Sequence, residues 1–224
     1  DDITREEILR NFVIEFSFNT ASIEGNTINL AEARNLLQEG ITPKNKTLRE
    51  VYDLQNTEKV FFEAYGSRDE INHSFIIGLH EKLLKNIDSR IGYRLSDVKV
   101  IRSNFNPTPA PFVKTDMNLL LQWYKENKCR MHPLVLAAIF HHKFEKIHPF
   151  MDGNGRTGRM LLNKILLDGG YPPTIIHKKS RNEYLEAMRE ADNSKLTDGN
   201  IKDYAQLIEF NTNEFIKTYW DTFL

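Results

Sequence analysis

The chain has 224 residues, with 30 Lys+Arg against 31 Asp+Glu and a net charge of −1, so its bulk charge gives no reason to expect nucleic acid or a membrane surface as partner. Its single cysteine, Cys129, excludes an intrachain disulfide, and a reducing, cytoplasmic setting is expected. No apolar run approaches the ~20 residues needed to cross a bilayer and no secretory leader is visible, so one domain with a substantial core is expected.

In chain order, Thr4 and Glu7 form a capping box for a helix with Ile8, Leu9, Phe12, Val13 and Phe16 on its apolar stripe. The stripe weakens from Ser17 to Thr20, resumes at Ala21 and Ile23, and Gly25 stops it. Asn29 with Glu32 starts a short helix from Leu30 to about Gln38, and Gly40 to Asn45 is a loop. Thr47 and Glu50 cap a longer helix whose buried side is Val51, Leu54, Val60, Phe61 and Tyr65. Ser74 opens another, carrying Phe75, Ile76, Leu79, Leu83 and Leu84.

From Gly92 to Val113 the pattern changes. Val98, Val100 and Phe105 read as short extended pieces, and Pro107, Pro109 and Pro111 forbid a helix. This is either a connecting loop with an edge hairpin or a flap beside a site. Thr115 then opens a helix with Leu119, Leu120, Trp123 and Tyr124 in the core. Pro133 sits at the first position of a nearly all-apolar, central helix from Leu134 to Ile147. Its His141 and His142 point about 100° apart, which suits packing or hydrogen bonding better than a metal pair. After the turn at Tyr171-Pro172-Pro173 come a helix from Ser180 to about Ala191, with Tyr184, Leu185 and Met188, and a last one from Ile201 to Phe223. The last helix carries Tyr204, Leu207, Ile208, Phe215, Ile216, Tyr219 and Trp220; its aromatic end is expected to pack on the body, with a contact between two copies as the alternative.

The chemistry concentrates between His148 and Arg159, which read HPFMDGNGRTGR. Gly153, Asn154 and Gly155 turn backbone N–H groups to one side at the start of a helix, where free donors and the macrodipole favour an anion. Arg156 and Arg159 share a helix face in the first turns, and guanidinium forks suit phosphate oxygens. Asp152 makes sense as a ligand for a hard cation such as Mg²⁺ bridging phosphates. His148 is the one group of the loop able to take up a proton near neutral pH. The spacing also matches G-x-G-x-x-G, but a helix and not a strand precedes it, and no P-loop pattern is present.

These residues resemble the Fic signature H-P-F-x-[DE]-G-N-G-R-x-x-R at every fixed position. The similarity is supported by Leu136-Ala137-Ala138, Phe140-His141 and Gly170-Tyr171-Pro172-Pro173, and it runs from about Ile71 to about Phe210. The resemblance implies a mainly α fold: a helical bundle with a small β-hairpin flap at about 96–113, which holds a protein target by strand addition. The family often has Gly-Ser in the flap, where this chain has Arg102-Ser103. The resemblance further implies transfer of AMP from ATP to a Ser, Thr or Tyr hydroxyl of a protein, self-modification included. His148 is then the base, Gly153, Asn154, Gly155, Arg156 and Arg159 hold the phosphates, Asp152 holds Mg²⁺, and Tyr184 contacts the nucleobase or is a core tyrosine.

Thr20-Ala-Ser-Ile-Glu-Gly-Asn26 matches the Fic inhibitory pattern [ST]-x-x-x-E-[GN], which makes Glu24 and Gly25 regulatory residues. Glu24 is then the anion that Arg159 needs in the absence of ATP. The expected organisation is an N-terminal helical region 1–70 with the inhibitory segment 20–26, a catalytic core 71–210 containing the motif 148–159, and a helix end 211–224 in the same unit. Two alternatives stay open: a hydrolase that removes AMP, and a silent module that binds a partner through its flap.

Overall fold

Two reciprocal capping boxes fix the N-terminal architecture. In a computed structural model, which describes residues 2–99, 106–197 and 200–223, Asn29 and Thr47 each accept a backbone N–H from the glutamate three residues on, and that glutamate reaches back. They start α2 (Leu30–Glu39) and α3 (Leu48–Gly66), which pack with α1 (Asp2–Ile23). Gly40 ends α2 with φ 71°, a conformation that costs glycine nothing. The remaining helices are α4 (His73–Leu83), α5 (Val113–Asn127), α6 (Pro133–Ile147), α7 (Asn154–Asp168), α8 (Arg181–Glu190) and α9 (Ala205–Phe223). Among the described residues there is no strand, and no helix is long and apolar enough to cross a membrane.

The centre is the α6–α7 pair. Leu136, Ala137, Ala138, Ile139, Phe140 and Phe144 of α6 are buried against Leu161, Leu162, Ile165 and Leu166 of α7, with α5, α8 and α9 around them. Gly158 lets the two helices approach, since a Cβ there would stand 2.5 Å from Glu145 Oε1 and 2.9 Å from His141 Nδ1. A second cluster joins α1 to this pair: Phe12 and Phe16 pack on Phe61, and Leu79, Leu83 and Met160 close over them. Burying such large side chains contributes roughly 1.5–3 kcal/mol each, so α1 is a structural member of the body.

Several boundaries differ from expectation. Thr4 lies inside α1 and is not its cap. Ser17 to Thr20 does not interrupt α1; Ser17, Asn19 and Thr20 are buried polar residues, of which Asn19 and Thr20 bond to other elements or to the helix itself. The cap of α4 is Asn72, not Ser74, because its side chain accepts the Phe75 N–H. Tyr65, Leu119 and Leu185 point outward, and Met117 and Leu121 take the core positions of α5. At the chain's end Ile216, Tyr219 and Trp220 stay exposed, so the core contribution of α9 comes from Leu207 and Phe210, with Tyr204 just before the helix. The expected flap falls partly on residues 100–105, which lie outside the described residues; on either side, 96–99 and 106–109 are irregular, and Ala110–Phe112 is a 3₁₀ turn leading into α5.

Candidate active site

The sequence places His148 at the only break between α6 and α7. It follows the last residue of α6 and has φ 51°, a left-handed cap that few non-glycine residues adopt. Pro149 prevents the helix from continuing. Arg94, itself buried, clamps the corner: its backbone N–H donates to the Pro149 carbonyl (2.9 Å) and its Nε to the His148 carbonyl (2.8 Å). The same guanidinium also donates to the Ser96 and Thr108 carbonyls, so one residue ties the base of the 96–113 segment to the loop.

The loop is then closed from inside. Asn154 accepts the Phe150 N–H (2.8 Å) and donates to the Phe150 carbonyl (2.9 Å). Its side chain shapes the cradle from inside. Gly153 has φ 76°, and a Cβ on it would collide with Leu84. His80 stacks on Phe150 at 3.7 Å and shares a hydrogen bond with the Asp152 carbonyl (3.0 Å). These contacts fix the start of α7, whose first N–H groups have no partner within the helix.

That start is covered by Glu24. A Cβ on Gly155 would collide with Glu24 Oε1, so the carboxylate lies directly over the start of α7. Arg159 Nη2 donates to Glu24 Oε1 (2.7 Å) and to the Thr20 carbonyl (3.1 Å), and its Nε donates to Thr20 Oγ1 (2.5 Å). Burial works to raise the Glu24 pKa, but Arg159, with Arg156 and His148 behind it, outweighs this and lowers it below the usual value. The Glu24 side chain is 41 % exposed, so the anion is seated yet reachable from solvent. Gly25, at φ 102°, turns the chain away, and Arg181 Nε holds the Ile23 carbonyl (3.0 Å).

Arg156 faces the other way. It pairs with Asp53 of α3 and reaches Asp152 at 3.4 Å, while Arg49, one turn before Asp53, pairs with Asp152. Tyr184 is buried, and its hydroxyl shares a 2.7 Å hydrogen bond with His141 Nε2. It takes the core position that is one of its two expected places. His142 meets Asp192 at 3.0 Å; the two histidines do not form a metal pair, and among the described residues no group of three metal-ligating side chains exists.

His148 itself is neutral at pH 7. Burial lowers its pKa to about 4, against the opposing influence of the Glu145 main-chain carbonyl and of Glu24. That carbonyl approaches the ring without satisfying hydrogen-bond geometry, so Nδ1 is enclosed and unpartnered. One turn back, Glu145 is pushed up to about 8 by burial, with Glu24 adding to the rise and Arg159 opposing it.

The Fic/DOC family pattern matches residues 70–166. The protein adenylyltransferase Fic of Drosophila ananassae is 32 % identical over 214 residues, covering 92 % of this chain. The chain belongs to the Fic/DOC family. Among solved structures, a Fic domain containing signaling protein from Bacteroides thetaiotaomicron superposes with TM-score 0.88 at 25 % identity, covering 97 % of this chain and 88 % of that one. Fic-1 from Caenorhabditis elegans gives TM-score 0.80 at 27 % identity, over 94 % of this chain and 62 % of that one. The fold is thus the mainly helical Fic fold. The chain spans only about two-fifths of the Drosophila relative, 41 % of its length.

Around the motif stand residues that the sequence reading did not single out. Arg49 and Asp53 sit 103 residues from Asp152 and Arg156, on a helix whose sequence offers no sign of the pairing. Arg94 had one cue, an arginine inside a proline-rich, irregular stretch. Glu145 had another: it shares a helix face with His141 and His148, at spacings of four and three.

Proposed function

We propose that this Fic protein transfers AMP from ATP to a Ser, Thr or Tyr hydroxyl of a protein, and that Glu24 restrains the reaction. One observation carries the reading: an anion of the same chain, Glu24, is seated on the α7 N-terminus and paired with Arg159, the place an ATP phosphate would take. The curated relative in Drosophila named a protein adenylyltransferase supports it. Gly153, Gly155 and the backbone between them receive the α- and β-phosphates, Arg159 turns from Glu24 to the γ-phosphate, and Arg156 adds charge from the α3 side. His148 Nε2 takes the hydroxyl proton as that oxygen attacks the α-phosphorus in line and pyrophosphate leaves.

Asp152 fits Mg²⁺ as a lone carboxylate ligand. Its pKa is lowered, since Arg156 and Arg49 overcome the cost of burial, so it is ionised and ready to exchange Arg49 for a cation. One protein carboxylate completes an octahedral site only together with phosphate oxygens and waters. When bound, the ion would neutralise charge on the phosphates. Incubation with ATP labelled on the α-phosphate tests the reading: label on protein supports it, with none transferred once EDTA removes the divalent ion. Release of AMP from a modified protein with no transfer would make the chain a hydrolase, and neither activity would make it a binding module.

The target is expected at residues 96–113, held as an added strand by a hairpin flap whose base Arg94 anchors to the loop. Proline at Val100 removes a main-chain donor. It should therefore cut protein modification several-fold more than ATP binding, measured by labelled transfer and by calorimetry. Equal loss of both would leave the segment with a structural role only.

A further inference from the structure

In the reaction above Arg49 is only the partner that Asp152 gives up. Its own helix gives no reason for it: it is the second residue of α3, in a first turn where the helix dipole disfavours a cation. It reaches across 103 positions to pair with Asp152. The two oxygens of that carboxylate are held differently. Oδ1 accepts the Gly153 N–H (2.6 Å) and lies 3.4 Å from Arg156 Nη2, so the loop itself fixes it. Among the described residues Oδ2 accepts from Arg49 alone. His80 also holds the Asp152 carbonyl at 3.0 Å, so the place of the carboxylate does not depend on Arg49. We propose that Arg49 is a stand-in cation: it covers Asp152 Oδ2 while no divalent ion is present, which lets a bare polyphosphate approach, and it yields that oxygen when the nucleotide arrives with its ion. The inference rests on the reading of Asp152 as a metal ligand.

Charge explains both halves of the exchange. Asp152 borders the α7 N-terminus, where the phosphates are expected. An uncovered carboxylate there repels a polyphosphate and offsets the attraction of the α7 N–H groups. Arg49 cancels that charge when metal is absent. The exchange itself is easy. The Arg49 side chain is 54 % exposed and that of Asp152 31 %, and an ion pair this open to water is weak. Arg49 also stands in the field of Asp53 and Asp88, so leaving Oδ2 strands no buried charge. Arg156 is the contrast: its side chain is 3 % exposed and paired with Asp53, and breaking such a buried pair is strongly unfavourable, so Arg156 stays. A guanidinium that bound phosphate directly would help the nucleotide with or without the ion. A stand-in helps the bare nucleotide and opposes its metal complex.

Calorimetry reads these signs without any turnover. The parent is the Glu24→Gly chain, whose cradle is open to phosphates. The titrant is an ATP analogue with a methylene group between the α- and β-phosphorus, added once with EDTA and once with saturating Mg²⁺. Arg49→Gln should weaken binding of the bare analogue about three- to fivefold, because Asp152 is then uncovered. It should tighten binding of the Mg²⁺ complex by about the same factor, because no guanidinium competes for Oδ2. Arg49→Lys keeps the charge as a single ammonium and should hold the bare analogue within about twofold of the parent. Any other pair of signs in Arg49→Gln overturns the proposal: a loss in both forms makes Arg49 a direct phosphate ligand, and no change in either leaves it a surface contact. A loss of the bare analogue as large in Arg49→Lys as in Arg49→Gln overturns it too, since charge would not be the cause. Asp152→Asn binding the Mg²⁺ complex as tightly as its parent overturns the metal reading of Asp152 instead.

Discussion

Glu24→Gly is expected to raise AMP transfer on the order of 5–150-fold, the range of a typical coupling free energy between two sites. Glu24 Oε1 does two things at once: it lies over Gly155, where the α7 donors converge, and it accepts from Arg159 at 2.7 Å. ATP in a productive pose needs both places. Glycine removes the anion and leaves the helix end at Ile23 anchored by Arg181, so the change is confined to the cradle. Arg159→Ala should not reproduce the gain, because it frees Glu24 and also removes a phosphate ligand. The released protein should melt at lower temperature without nucleotide, since Arg159 is left buried with Thr20 and one carboxylate fewer, and ATP should restore part of the loss by binding the folded state. Transfer of labelled AMP to the protein and to a mixed-protein substrate checks the rate. An unchanged rate would reduce Glu24 to a packing contact. If removal of AMP is the main activity, the same substitution should lower it.

How legible was this arrangement in the sequence? The capping boxes at Asn29 and Thr47, the proline start of α6 and the glycine stop after α7 follow from local chemistry, and they were readable because each cap lies within three or four residues of its partner. The loop from His148 to Arg159 was readable because function compresses it into twelve consecutive positions. Ser17 to Thr20 misled for the opposite reason. A weak apolar stripe reads as a helix breaking, yet the polar residues are buried because Thr20 and Asn19 serve Arg159 and Lys178 across the fold. Arg49 and Asp53 illustrate the same limit: a charged pair one turn apart on an exposed-looking helix gives no hint of a partner a hundred positions away. Tyr184 shows the converse. Its place in the family pattern left a nucleobase contact and a core position both open, and its burial and bond to His141 depend on packing that the sequence does not show.

His148→Ala should abolish transfer, lowering kcat by about 10²–10⁴ where a positioned base is lost, while the Kd for ATP stays within about twofold. The separation follows from where the ring stands. In the proposed reaction phosphate affinity belongs to the α7 backbone and to the Arg156 and Arg159 guanidinium groups, whose hydrogen bonds go to Asp53, Asp152, Thr20 and Glu24 and not to His148. The ring is neutral at pH 7, its pKa lowered to about 4 by burial, so it is already in the form that accepts a proton. Alanine brings one complication: histidine, like asparagine and aspartate, is found at positive φ more often than alanine, so at φ 51° alanine also strains the loop. His148→Asn removes the imidazole with a residue that tolerates this backbone region, so it should lose transfer as fully as alanine while melting closer to the parent protein. Calorimetry with ATP, labelled transfer and thermal melts on both variants decide the matter. Full transfer in His148→Asn would show that the loop needs the backbone shape of this position and not its ring, and the base would have to be sought elsewhere in the site.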